Sequence, residues 1–89
     1  SGDEMDKNKC KVTVEIFGEA YTLKGDMEAE TVRKIAATVD QRMRQLARSN
    51  PRLSLAKVAV LTALNLAEEF GKLEQDYQEL MELLDDDKR

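Results

Sequence analysis

An 89-residue chain with 4% aromatic and 36% charged residues holds at most one small domain and has little apolar bulk from which to build a core alone. It contains no histidine and one cysteine, which excludes an imidazole base, a Cys-His pair, a histidine metal site and an internal disulfide. The net charge of −4 is unevenly spread: residues 41–57 carry five cations and no acid, whereas residues 68–89 carry nine acids against three cations.

Residues 1–10 are polar, charged and aperiodic, and are read as a disordered segment. Ser1-Gly2, with no initiator methionine, has the look of a remnant left by tag removal. A single cysteine, Cys10, fits a reducing compartment, and neither a signal peptide nor a membrane-length apolar run is visible, so a cytoplasmic protein is expected. A β-hairpin follows over residues 11–24. Val12, Val14 and Ile16 alternate with polar neighbours, and Tyr21 and Leu23 continue beyond a break. A type II′ turn at Gly18-Glu19 would pair Ile16 with Tyr21 and Val14 with Leu23, gathering all five apolar residues on one face.

The first helix is expected over residues 27–49, capped by Asp26, with Glu28 and Glu30 in its first turn. Val32, Ile35, Ala36, Val39, Met43, Leu46 and Ala47 recur at helical spacing as its buried stripe, and Asn50-Pro51 ends it. Ser54 is placed to cap a second helix that runs to about Leu84 and through Gly71, a residue that weakens a helix without ending it. Along this helix Ala59, Ala63, Leu66, Phe70, Leu73, Tyr77, Leu80 and Leu84 recur in alternating steps of four and three, the rhythm of an oligomer seam. Up to Leu66 an internal contact with the first helix competes with that reading. Beyond Phe70 the first helix is used up, and an intermolecular coiled coil is favoured. Glu69, Glu74 and Asp76 flank the seam with like charge, so pairing there should be weak and salt-sensitive. The expected fold is therefore α+β: a hairpin, one shorter helix, and one long C-terminal helix forming an intermolecular coiled coil. It divides into a head over residues 11–67 and a coiled-coil tail over residues 68–89.

Little here supports catalysis. The tail carboxylates lie on a solvated helix, Asp85-Asp86-Asp87 reads as a charged helix end, and the glycines, at 2, 18, 25 and 71, form no phosphate loop. No enzyme activity, cofactor, metal site, small-molecule substrate or membrane contact is expected. Arg44, Arg48, Arg52 and Lys57 are more informative, because they fall around the junction of the two helices and should crowd around one corner of the head. Cations near the end of the first helix can simply satisfy its dipole, which accounts for Arg44 and Arg48 but not for Arg52 or Lys57. The other reading is an anionic docking surface, for an acidic protein or for nucleic acid. The opening of the second helix, Leu55-Ala56-Lys57-Val58-Ala59-Val60-Leu61, is core-like rather than base-reading, which with the acidic balance disfavours DNA. A small nucleic-acid-binding dimer is the alternative function.

Val12-Thr13-Val14-Glu15-Ile16-Phe17-Gly18 followed by Tyr21-Thr22-Leu23 resembles the opening of the ZapA cell-division proteins. Val39-Asp40-Gln41-Arg42-Met43-Arg44, Asn50-Pro51-Arg52-Leu53 and the run from Val58 to Glu69 resemble later blocks of that family in the same order. Asn65, polar within an apolar helix, is read as a helix-cap or turn contact of the fold rather than a ligand. The resemblance implies a cytoplasmic protein at the mid-cell division site that binds FtsZ, the bacterial tubulin-like GTPase, and cross-links its protofilaments. It also implies homodimers built through the head and homotetramers joined through the coil. Arg42, Arg44, Arg48, Arg52 and Lys57 are the candidates for the FtsZ surface by position and charge, while Glu19 stands where some relatives have a basic residue.

Overall fold

Two strands and two helices follow one another in the computed structural model, which describes residues 10–87. The segment expected to be disordered lies, up to residue 9, outside the described residues. Strands β1 (Cys10–Ile16) and β2 (Glu19–Gly25) pair antiparallel, with Val14 opposite Tyr21 and Val12 opposite Leu23. The expected turn is corrected by one residue and the expected pairing by two. Phe17 and Gly18 are the central residues, at φ 51° and 83°, and Ile16 faces Glu19. Positive φ at both central positions is the type I′ arrangement, whose twist matches that of the flanking strands. Sequence reasoning placed the turn on Gly18-Glu19 because a phenylalanine in the left-handed region is sterically costly. A register change of two residues is even, so Val12, Val14, Ile16, Tyr21 and Leu23 still share one face.

Helix α1 (Ala29–Ser49) lies across that face mainly under β1. Val12, Val14 and Ala36 are buried together, with Ile16, Ala29 and Val32 packed around them. The helix starts two residues later than expected from position 27, because Asp26 and Met27 are used in the bend that leaves Gly25. Glu28, not Asp26, takes the N-cap position through its extended backbone and makes no side-chain capping bond. Since α1 sits under β1, β2 overhangs. Tyr21 and Leu23 stay about two-fifths exposed, and Ile35, expected in the buried stripe, is 48% exposed. Leu23, Met27, Val32, Ile35 and Val39 line the resulting apolar cleft, of about 160 Å³.

At the far end of α1 the Asn50 amide donates to the carbonyls of Leu46 and Ala47, at 3.1 and 3.2 Å, and Pro51 prevents continuation. Ser54 caps helix α2 (Leu55–Asp87) as expected, its Oγ accepting the Lys57 amide at 3.2 Å. The 33-residue helix is unbroken at Gly71 and passes the expected end at Leu84. Its length makes the chain far from compact. The radius of gyration is 18.3 Å, against roughly 12 Å for a compact domain of this size.

The face of α2 that meets α1 is not the ladder. Val58 and Thr62 are buried, at 1% and 3% exposure, and Asn65 and Glu69 continue the same stripe in steps of three and four. The Thr62 hydroxyl donates to the Val58 carbonyl at 2.8 Å, so its burial leaves no polar group unpaired. The internal contact expected for the ladder up to Leu66 is thus displaced by one residue around the helix. Ala59 and Ala63 are exposed and Leu66 is half-buried. Further along, Phe70, Leu73, Tyr77, Leu80 and Leu84 are exposed, as are Val60, Leu61 and Leu64 on the other side.

Candidate partner-binding corner

The basic residues resolve into different roles once the helices are placed. Arg42 points at α2, where its guanidinium donates to Asn65 and to Glu69, the second Glu69 bond being 3.3 Å long. Arg42 is therefore a tie between the helices, and Asn65 is its partner rather than a cap. Arg44 turns the other way, toward the hairpin. Its Nε donates to both Asp40 carboxylate oxygens at 3.1 Å, and its guanidinium carbon stands 5.8 Å from the centre of the Phe17 ring.

Asp40 joins these pieces. Its Oδ1 also accepts the Phe17 amide at 2.7 Å, so one carboxylate holds the strained turn and one of the flanking cations. The amide bond from Phe17, reinforced by Arg44, holds the Asp40 carboxyl below its ordinary value, although partial desolvation opposes the shift. Neither Asp40 nor Phe17 is flagged by spacing or charge. The only sequence signal was the Phe17-Gly18 dipeptide at the hairpin break, which requires knowing that a distant acid will support the phenylalanine.

Arg44 and Arg48 are brought together, one helical turn apart on the outward side of α1. They share a cleft with Phe17, Ala47 and Pro51, and a second shallow one with Gln41 and Gln45. Arg52 adjoins through Pro51, in a cleft with Ser49, Asn50 and Leu53. Lys57 lines none of these clefts. Among the described residues the ion pairs are Arg42–Glu69 and Arg44–Asp40, leaving Arg48, Arg52 and Lys57 uncommitted. Of the four cations expected to crowd one corner, Arg44 and Arg48 form a ridge flanked by two glutamines, with Arg52 at its end and Lys57 outside these clefts. Such a ridge presents a row of positive charge to solvent.

Among the described residues no helix is long and apolar enough to cross a membrane, and no group of three or more acids or cysteines is placed to hold a metal ion.

A family model described as "Cell division protein ZapA" matches residues 12–88. A protein named "Cell division protein ZapA" from Geobacillus sp. (strain WCH70) is 37% identical over 83 residues, covering 93% of this chain and 95% of the relative. Another of that name, from Bacillus mycoides (strain KBAB4), is 40% identical over 75 residues, 84% of each chain. Among solved structures, the "ZapA mutant dimer from Geobacillus stearothermophilus" is similar with a TM-score of 0.69 and 41% identity, over 85% of this chain and 88% of that one.

Proposed function

The chain belongs to the ZapA family of cell division proteins, and from that premise we propose that it is a non-enzymatic bridging protein that binds FtsZ and bundles its protofilaments at the division ring. The observation that carries this reading is the seam of α2. Phe70, Leu73 and Tyr77 are 62%, 68% and 63% exposed, a continuous apolar stripe that water does not tolerate on a lone helix. A second copy covers it, and a relative sharing 41% of its sequence was solved as a dimer. The first half of α2 is apolar nearly all round, with Val60, Leu61 and Leu64 exposed, and the cleft between hairpin and α1 is apolar too. Both features support a firm dimeric head over residues 11–67. The tail, flanked by Glu69, Glu74 and Asp76, is the weaker joint at which dimers combine into tetramers.

Two or more heads on one rigid coil hold neighbouring filaments, and multivalency turns weak contacts into bundling. The Arg44–Arg48 ridge, with Arg52, meets acidic filament surface in the cytoplasm at mid-cell, which makes bundling salt-sensitive. Co-sedimentation with polymerised FtsZ tests the reading. Wild type should increase the FtsZ pellet at low salt. Arg48→Glu with Arg52→Glu should lose that increase while remaining oligomeric. Leu73→Glu should still bind but bundle poorly. Failure of the wild type to add to the pellet at low salt overturns the proposal.

A further inference from the structure

The two strongest charge concentrations of this chain are matched in shape as well as in sign. On α1, Gln41, Arg44, Gln45 and Arg48 form an exposed ridge on the side turned away from α2, with Arg44 and Arg48 bordering Phe17 at the hairpin turn. On α2, Glu79, Glu82 and Asp85 are exposed and recur every three residues on the side away from the seam of Leu73, Tyr77, Leu80 and Leu84. Filling the seam with a partner helix therefore leaves these acids in water. Arg44 and Arg48 stand about 6 Å apart along their helix and the three acids span about 9 Å along theirs, at 1.5 Å per residue. Asp86 and Asp87 extend the negative run in the sequence.

The same chain cannot bring the two ridges together. α2 leaves the corner at Leu55 and runs straight for 33 residues, so its acidic end lies about 50 Å from its start. We propose that the acidic outer ridge at the end of α2 docks on the Arg44–Arg48 ridge of another copy of this chain. The contact joins the head of one assembly to the tail of another. Like other exposed ion pairs, each is weak alone, and the contact depends on several acting together at low ionic strength. Docking does not depend on the FtsZ reading. If that reading holds, the docked tail occupies the surface that filaments need, and self-association and filament binding compete.

Sedimentation velocity of the full-length chain without FtsZ tests this directly. Wild type should show a species larger than the seam-built oligomer at low salt and lose it at high salt. A ridge variant, Gln45→Glu with Arg48→Glu, leaves the Arg44–Asp40–Phe17 contacts untouched and should lose that species. A tail variant, Glu79→Lys, Glu82→Lys and Asp85→Lys, should lose it too, with the helical circular dichroism of both variants unchanged. Mixing the two variants should restore it, since the intact tail of one then meets the intact ridge of the other and the reversed tail meets the reversed ridge. A control with the same three reversals at Glu15, Glu28 and Glu30 leaves both ridges intact and should keep the species on its own. The proposal is overturned if either variant alone keeps the salt-sensitive species, if the mixture fails to regain it, or if the control loses it as the tail variant does.

Discussion

Replacing Gly18 and Gly71 by alanine, one at a time, makes the same chemical change in two backbones and should move stability in opposite directions. Gly18 sits at φ 83°, and a Cβ added there would meet nothing within 4 Å, so no clash and no new packing enters the balance. What remains is the cost of a left-handed alanine, about 1–2 kcal/mol, partly offset by roughly 0.4–1 kcal/mol from a stiffer unfolded chain. A net loss of about 1 kcal/mol follows. Gly71 is helical and equally unobstructed, so alanine there should add about 0.8–1 kcal/mol of helix propensity. For a domain of this size 1 kcal/mol corresponds to roughly 4–8 °C, so the two variants should melt about 8–16 °C apart, on either side of wild type. Thermal unfolding followed by circular dichroism at one fixed protein concentration reads the difference, since self-association makes the midpoint concentration-dependent. A neutral or stabilising Gly18→Ala would show that the hairpin does not turn through Phe17-Gly18. A destabilising Gly71→Ala would show that α2 is interrupted there, or that another chain packs closely against the glycine.

Three further outcomes follow from the same geometry. Asp40 is held below its ordinary carboxyl value of 3.8 by the Phe17 amide and Arg44, so its stabilisation is complete above that value and is lost as pH falls through the lower folded value. Urea midpoints measured from neutral to acidic pH should therefore fall less steeply at the acid end for Asp40→Asn than for wild type, from a lower starting point. Val58 is 1% exposed, and Val58→Ala should cost about 2 kcal/mol through two lost methyl groups and the cavity left between the helices, read as a lower urea midpoint. Arg42→Ala should cost about 1 kcal/mol by releasing Asn65 and Glu69, discounted because Glu69 is 57% exposed, whereas Arg48→Ala should change stability by under about 0.5 kcal/mol. Equal effects of the two arginine substitutions would contradict their separate roles.

Local chemistry settled most of the architecture. Alternation of Val12, Val14 and Ile16, the stop at Asn50-Pro51, the cap at Ser54 and the long apolar rhythm of α2 each act within a few residues, so a hairpin and two helices were legible from the sequence by itself. So was the family, because four blocks recur in order across the chain. Three things depended on contacts between separate elements of the fold. The turn moved onto Phe17 because Asp40, on α1, accepts its amide and offsets a conformation that Phe17 alone would avoid. Arg42 left the basic cluster because Asn65 and Glu69 lie across from it on α2. The ladder stayed exposed because Val58 and Thr62, one step round the helix, make the contact with α1. Periodicity reports that a face is apolar; which neighbour covers it is fixed by the angle at which α1 and α2 meet, and only the folded chain sets that angle.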